Sequence, residues 1–452
     1  MEARLPSFKD SKHGAEFVYK TAAMFGFDDY NLLQAQEAMI NANPIAPAVD
    51  LGAQSAAWPG SVVSVSSSSD DDDDDGTPQG PVLPDDSQWQ LAQRFVQIHG
   101  EKYRYNVDGK YWLEWSGSTW ERSEGFLDIV GAMLAERGAD IYRLGFGNAA
   151  ATKRFYALQS AGAILSVARL LQPKLRASEA DFDQHPFLLN TPDGVVDLRT
   201  GAISRHDPLL LMRKITLVGP NSDAIGKYEK FMPRFLAVLH NVTQGNPTMI
   251  AALRAWLAYC LTGGIRHQAF CFLHGPPGAG KSLIMQVFFE ILHRYSFMLT
   301  EALVSKNGNE GSKRFGLADL VGIRMGFMDE TQLGSTFDET WLSKGASAKT
   351  LVAEIKFGRS VTVRNTMKIN IVGNHKPNLV AADTGGLPSR MLLYPCGGIN
   401  YRLPGNNGKE DLLEQIMRDE APYILMWALE QSIADYKNPG LFNQLTSMMF
   451  PK

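Results

Sequence analysis

Gly275-Pro276-Pro277-Gly278-Ala279-Gly280-Lys281-Ser282 fills every specified position of the pattern G-x-x-x-x-G-K-[ST]. Glycines in such a loop let backbone N–H groups turn towards a phosphate, and a following helix adds the positive end of its dipole. Lys281 supplies a mobile charge for the β- and γ-phosphates of a nucleoside triphosphate, and the Ser282 hydroxyl is a ligand for Mg²⁺. The pattern carries weight when a strand leads in and a helix leads out. Both are expected: the apolar run 269–273 reads as a buried strand and 283–292 as a helix. ATP and Mg²⁺ are therefore the expected ligands of 275–282.

Hydrolysis needs a carboxylate for the metal and a base for water. The apolar run 321–328 ends in Asp329-Glu330, and Asp329 stands 48 residues after Lys281. An acidic pair at the C-terminal edge of a strand faces the phosphate crevice of a parallel sheet. Asp329 is expected to hold the metal, and Glu330 to orient and deprotonate the attacking water. A third strand, 368–373, runs into Asn374-His375-Lys376-Pro377, whose amide is expected to contact the γ-phosphate or the water. The plain alternative is an asparagine opening a turn before proline. Arg390 closes the loop that begins at Gly385 and is expected to act as a finger on a neighbouring subunit's nucleotide. Between Glu330 and Asn374, the alternating stretch 352–364 reads as a hairpin with Lys356, Phe357 and Arg359 near its turn. Cations there suit strand phosphates and the phenylalanine suits base stacking. The competing reading is a solvated edge hairpin whose charges prevent aggregation.

These side chains need a parallel sheet whose strand ends converge on the loop. A chain of 452 residues has room for it within two or three domains. The composition, 44% hydrophobic and 20% charged, is that of an ordinary soluble protein. Cys260, Cys271 and Cys396 show no paired or metal-ligand spacing, which excludes a disulfide framework and a zinc module and fits a reducing cytoplasm. No basic-then-apolar leader and no run of transmembrane length is present, so no membrane is expected and Asn241-Val242-Thr243 is read as chance. Residues 1–80 hold 4 basic and 13 acidic residues, and subtracting that −9 from the net −4 leaves +5 for the body. Within the tail, Ser66-Ser67-Ser68-Ser69 and the six aspartates 70–75 read as a disordered, solvated spacer. From Tyr103 to Glu121, aromatics alternate with polar residues as in consecutive hairpin strands, with a half-buried sheet face preferred over base stacking. Helices are expected over 126–137, 152–171, 225–239 and 247–262, and two short strands within 187–203.

The phosphate loop, the acidic pair, the Asn-x-x-Pro strand end and the following arginine fall within about 115 residues and resemble superfamily 3 helicases. The resemblance is to the poxvirus-type and phage or plasmid primase-helicase group, and spans about residues 95–400. The stretch 188–201 and Gly117–Trp120 are similar to that group's pre-helicase domain. Two departures stand out: Arg390 is followed by Met391 where the family often has a second arginine, and 1–85 is too short and acidic for a primase domain. The resemblance implies an α/β fold with an AAA+-like core around a central parallel sheet, preceded by a mixed, mainly helical α+β domain and the acidic tail. It also implies a homohexameric ring driven 3′-to-5′ along single-stranded or forked DNA, in a host cytoplasm, with primase or other replisome proteins as partners. The expected domains are 1–85 (tail), 86–225 (pre-helicase), 226–265 (helical collar), 266–400 (ATPase core) and 401–452 (helical extension). An AAA+-like ATPase that remodels protein or assembles on DNA without unwinding it is the alternative. Intact Lys281, Asp329 and Glu330 argue against a non-catalytic scaffold.

Overall fold

The computed structural model describes residues 86–304, 320–331, 337–354, 360–375, 388–399 and 411–449. The acidic tail and the hairpin residues Lys356, Phe357 and Arg359 lie outside them.

The described chain begins with α1 (Gln88–His99), where Ser87 and Gln90 exchange side-chain to backbone hydrogen bonds in a capping box. The alternating aromatic stretch folds into antiparallel strands β1 (Tyr103–Asn106), β2 (Tyr111–Trp115) and β3 (Trp120–Arg122). Trp112 stacks on Phe126 at 3.6 Å between ring centroids, and Trp120 is 1% exposed, so these rings serve the core. The helix expected over 126–137 continues as α2 (Phe126–Leu144). The span 152–171 is two helices, α3 (Ala149–Leu158) and α4 (Ala161–Leu171), because Ser160 takes an extended backbone and caps α4 by accepting from Ala163 N. Strand β4 (Arg176–Ala177) joins β1 in parallel. Strands β5 (Leu188–Thr191), β6 (Gly194–Asp197) and β7 (Ile203–Ser204) form a separate antiparallel sheet.

The helix expected over 225–239 is broken at Met232: a single helical turn covers Tyr228–Phe231, and α5 (Pro233–Thr243) follows, with Pro233 in its first turn where the missing N–H costs nothing. Helix α6 (Pro247–Leu261) follows under an Asn246 cap. Strand β8 (Phe270–His274), helix α7 (Lys281–Leu292), strand β9 (Ser296–Met298), strand β10 (Met325–Thr331) and helix α8 (Glu339–Ser347) come next. Strands β11 (Thr350–Glu354) and β12 (Ser360–Arg364) pair as the expected antiparallel hairpin, and β13 (Lys368–Gly373) and β14 (Met391–Pro395) follow. Helices α9 (Leu412–Asp419), α10 (Ala421–Lys437) and α11 (Leu441–Met449) complete the described chain.

Strands β8, β9, β10, β13 and β14 form one wholly parallel sheet in the order β14-β8-β13-β10-β9. Such strands are covered on both faces and read as continuous apolar runs. Every residue of β13 is buried. Helices α5, α6, α7 and α10 build the larger core with Cys271, Leu273 and Phe327, while Phe270, Phe272, Ile369 and Ile371 pack with Leu342 of α8 in another. Within the larger core, Trp256 Nε1 donates to Asn370 Oδ1 at 2.6 Å and Tyr394 O–H to Ala252 O at 3.1 Å, which fixes α6 on the sheet.

Two buried cations join the sheet to the C-terminus of α6. Arg324, 3% exposed, donates to Leu261 O and to Leu188 O of β5. Lys368, 1% exposed, donates to Thr262 O and Thr366 O. Helix ends leave carbonyls without intrahelical partners and carry negative potential, which suits both contacts. Burial pushes the Lys368 ammonium down to about 7. Between about pH 7 and the usual lysine value, the folded chain therefore binds fewer protons here than the unfolded chain, so this residue makes stability rise with pH. Lys368→Met should flatten that rise. Melting temperatures of both proteins at pH 7 and pH 9 test it, the variant's difference being the smaller in the upward direction. Cys260, buried beside Lys368 and pushed up to about 12, acts in the opposite sense and interacts with the lysine, so the comparison is made in a Cys260→Ala background. An equal pH dependence in both would place the proton on Lys368 throughout.

Candidate active site

The segment 275–282 leaves the C-terminal end of β8 and enters α7 at Lys281, the expected strand–loop–helix. Three of its glycines have positive φ: 153° at Gly275, 78° at Gly278 and 100° at Gly280. Gly275 is also pressed against the chain after β14, where an added Cβ would lie 2.1 Å from Cys396 O. Only glycine meets both conditions. The loop is braced from outside by Asn241 of α5, whose amide donates to Ala279 O and to Ile399 O, both at 3.0 Å, and accepts from Ile399 N. Asn241 is thus a structural residue, marked in the sequence only by the Asn-x-Thr pattern, which gives no hint of this role.

Lys281 is 4% exposed. Its ammonium donates to Gly275 O at 2.8 Å, Pro276 O at 2.7 Å and Asn374 Oδ1 at 3.2 Å. Asn374 follows the last residue of β13, the strand beside β8, so the expected strand-end amide does reach the lysine. Ser282 Oγ donates to Asp329 Oδ1 at 2.6 Å, and Gln286 Nε2, one turn along α7, to Asp329 Oδ2 at 3.3 Å. Lys281, Ser282, Asp329 and Asn374 therefore meet at the C-terminal ends of three adjacent parallel strands.

The strand that carries the acidic pair differs from expectation at both ends. It begins at Met325, because Leu320–Gly322 form a turn closed by Ile323 N donating to Leu320 O, with Gly322 at φ 72°. It also runs past Glu330. Against β13, Met328 pairs with Ile371 and Thr331 with Gly373, so one extra residue is accommodated at Asp329-Glu330. A bulge of this kind re-aims side chains at a sheet edge. The placement of the Glu330 side chain lies outside the described residues.

Arg390 is not part of this cluster. It ends a short helical turn before β14, whose first residue Met391 pairs with Phe270, the first residue of β8. The loop 275–282 leaves the other end of β8, so the length of the strand, about 13–16 Å at roughly 3.3 Å per residue, separates them. Within its own chain the guanidinium donates to Ser343 Oγ of α8.

Two stretches of the chain match known families. Residues 92–244 match the family described as D5 N terminal like. Residues 273–390 match a family of unknown function, DUF5906, a span that contains the loop 275–282, the acidic pair, Asn374 and Arg390. No curated protein matches the chain. Among solved structures, the apo NrS-1 C-terminal region in its A form is similar at 11% identity and TM-score 0.44, covering 79% of this chain and 75% of that one. A further apo structure of the NrS-1 C-terminal region, residues 305–718, aligns at 10% identity and TM-score 0.43, again covering 79% and 75%. No described helix is long and apolar enough to cross a membrane.

Proposed function

We propose that this chain is a nucleoside triphosphatase that drives movement along a nucleic-acid strand, a replicative DNA helicase of viral or phage type. The observation that carries the reading is the convergence of Lys281, Ser282, Asp329 and Asn374 at the strand ends. In this reading the first turn of α7 and the loop amides bind the phosphates of ATP. The Lys281 ammonium exchanges its loop carbonyls for phosphate oxygens. Ser282 and Asp329 offer adjacent oxygen donors, the type Mg²⁺ takes alongside phosphate and water. Asn374, in contact with the lysine, orients the γ-phosphate or its attacking water, and Glu330 takes the water's proton. The match of residues 92–244 to the D5 N terminal like family supports the replication-type assignment.

Superfamily 3 architecture, a hexameric ring and 3′-to-5′ polarity belong to the same proposal, as does a DNA grip by Lys356, Phe357 and Arg359, which lie in sequence between β11 and β12. Replisome partners such as a primase and a host-cytoplasmic setting follow from it. Glu330→Gln is expected to bind ATP with near wild-type affinity while turning it over about 10²–10⁴-fold more slowly, the usual worth of a general base. Filter binding of ATP beside phosphate release reads both quantities, and parallel loss of binding and turnover would give Glu330 a structural role. Strand displacement on a forked duplex then separates the helicase from a remodelling ATPase, which hydrolyses ATP and leaves the duplex intact.

A further inference from the structure

The chain that leaves β14 runs as a strap along the C-terminal turn of α5 and past the loop 275–282. Cys396 N donates to His274 O at 2.7 Å, and Gly397 N donates to Val242 O at 3.0 Å. Both main-chain groups of Ile399 are tied to a single side chain. Its N–H donates to Asn241 Oδ1 at 3.1 Å, and its carbonyl accepts from Asn241 Nδ2 at 3.0 Å. The same Nδ2 donates to Ala279 O at 3.0 Å, so one amide nitrogen joins the strap to the loop.

Backbone held this firmly commonly serves to bury the side chain it carries, yet the Ile399 side chain is 73% exposed. A lone exposed isoleucine is ordinary on a protein surface. This one differs in being locked beside a loop whose glycines have positive φ, which makes it a fixed apolar platform next to a phosphate-type turn. Gln244 supplies a polar group along the same strap. It ends α5 with φ 52° and is exposed, and its side-chain amide lies against Gly397, where an added Cβ would collide with Nε2. Among the described residues none hydrogen-bonds that amide, so its donor and its acceptor are both open to a ligand.

We infer that Ile399 and Gln244 form the base subsite for a nucleotide whose phosphates lie on the loop 275–282, with Ile399 under the base and Gln244 selecting adenine. The inference rests on the nucleoside triphosphatase reading above and adds to it the residues that choose the base. A base held by its phosphates at the loop has to settle on a surface bordering it, and its flat face gains from covering an apolar side chain already fixed in place. A glutamine amide offers a donor and an acceptor side by side. Adenine answers with the N7 acceptor and the N6 amino donor, whereas guanine presents two acceptors, N7 and O6, on the same edge. Asn241 is then a positioning residue, because it sets the spacing between the phosphate-binding turn and the platform.

The test is calorimetric titration of the full-length protein, with Mg²⁺, by three ligands: the β,γ-imido analogue of ATP, that of GTP, and inorganic tripolyphosphate. Wild-type protein should bind the adenine analogue more tightly than the guanine analogue. Ile399→Ala should weaken the adenine analogue by roughly 5- to 30-fold, the worth of part of a buried isoleucine side chain, and leave tripolyphosphate unchanged. Ile399→Leu should keep the affinity. Gln244→Ala should reduce the preference for adenine over guanine by about tenfold, again without effect on tripolyphosphate. Both side chains are exposed, so neither truncation removes core packing, and melting temperatures check this. If Ile399→Ala unfolds, Ile399→Thr takes its place. Equal weakening of the adenine analogue and tripolyphosphate by the Ile399 variant, or no weakening of the analogue, overturns the base subsite. A base preference that survives Gln244→Ala overturns the selecting role of Gln244. The reading beneath fails separately: tripolyphosphate binding that Lys281→Ala leaves intact removes the loop 275–282 as the phosphate site, whatever the Ile399 and Gln244 variants show.

Discussion

Lys281→Ala is expected to reduce ATP hydrolysis at least roughly 10²–10³-fold, the usual cost of deleting one preorganised group that faces developing charge, and in practice to the limit of detection. The residue is nearly inaccessible, and its ammonium is the hub of the site, joined to two loop carbonyls and to Asn374. In the proposed motor, deleting it removes the positive charge nearest the β- and γ-phosphates and the tie between the loop and β13 at once. The two losses separate in measurement. Lys281→Met keeps most of the side-chain volume and should be just as inactive if charge is what matters. Melting temperatures of both variants report any unfolding of the loop. Near wild-type turnover by either variant removes the loop from the chemistry and, with it, the proposed motor. Inactivity of the alanine variant alone would give Lys281 a packing role.

Arg390→Ala carries the second large effect, and the fold determines what form it must take. The sheet's own length separates Arg390 from the loop 275–282 of its chain. A finger placed there acts only on the nucleotide of another subunit. In comparable phosphoryl-transfer sites such an arginine is worth roughly 10³–10⁵ in rate. Arg390→Ala should therefore bind ATP and hydrolyse it poorly, as should Lys281→Ala for a different reason. Mixing the two variants should restore activity, because an Arg390→Ala subunit with its intact lysine can face the intact arginine of a Lys281→Ala neighbour. Differential tags establish that mixed assemblies form. If they form and activity stays at the level of the single variants, Arg390 is no finger. Its hydrogen bond to Ser343 then has a purely structural use, which a lowered melting temperature of Arg390→Ala would show.

Loop, lysine and serine were legible in the sequence because their chemistry depends on local geometry. Positive φ at Gly275, Gly278 and Gly280 and the strand–loop–helix order are properties of a dozen consecutive residues. The same holds for β13, whose apolar run is continuous because both faces are buried. Errors occurred where the deciding interaction was finer than a hydrophobic pattern. One serine cap split 152–171 into two helices, and the turn at Leu320–Gly322 shortened a strand whose apolar residues continue through it.

By itself, then, the sequence determined the glycine-rich loop 275–282, the alternation of strands and helices around it, and the residue types on offer at the strand ends. These follow from spacing along the chain, where turn chemistry and periodicity act over a few residues. Which of those residues meet was decided by the parallel order β14-β8-β13-β10-β9, which brings Asn374 to Lys281 and Asp329 to Ser282 across separations of 93 and 47 residues and leaves Arg390 at the far edge. The bulge at Asp329-Glu330 and the brace from Asn241 belong to the same class. Their partners come from distant segments, and it is the burial of both faces of the sheet that selects the register holding them together.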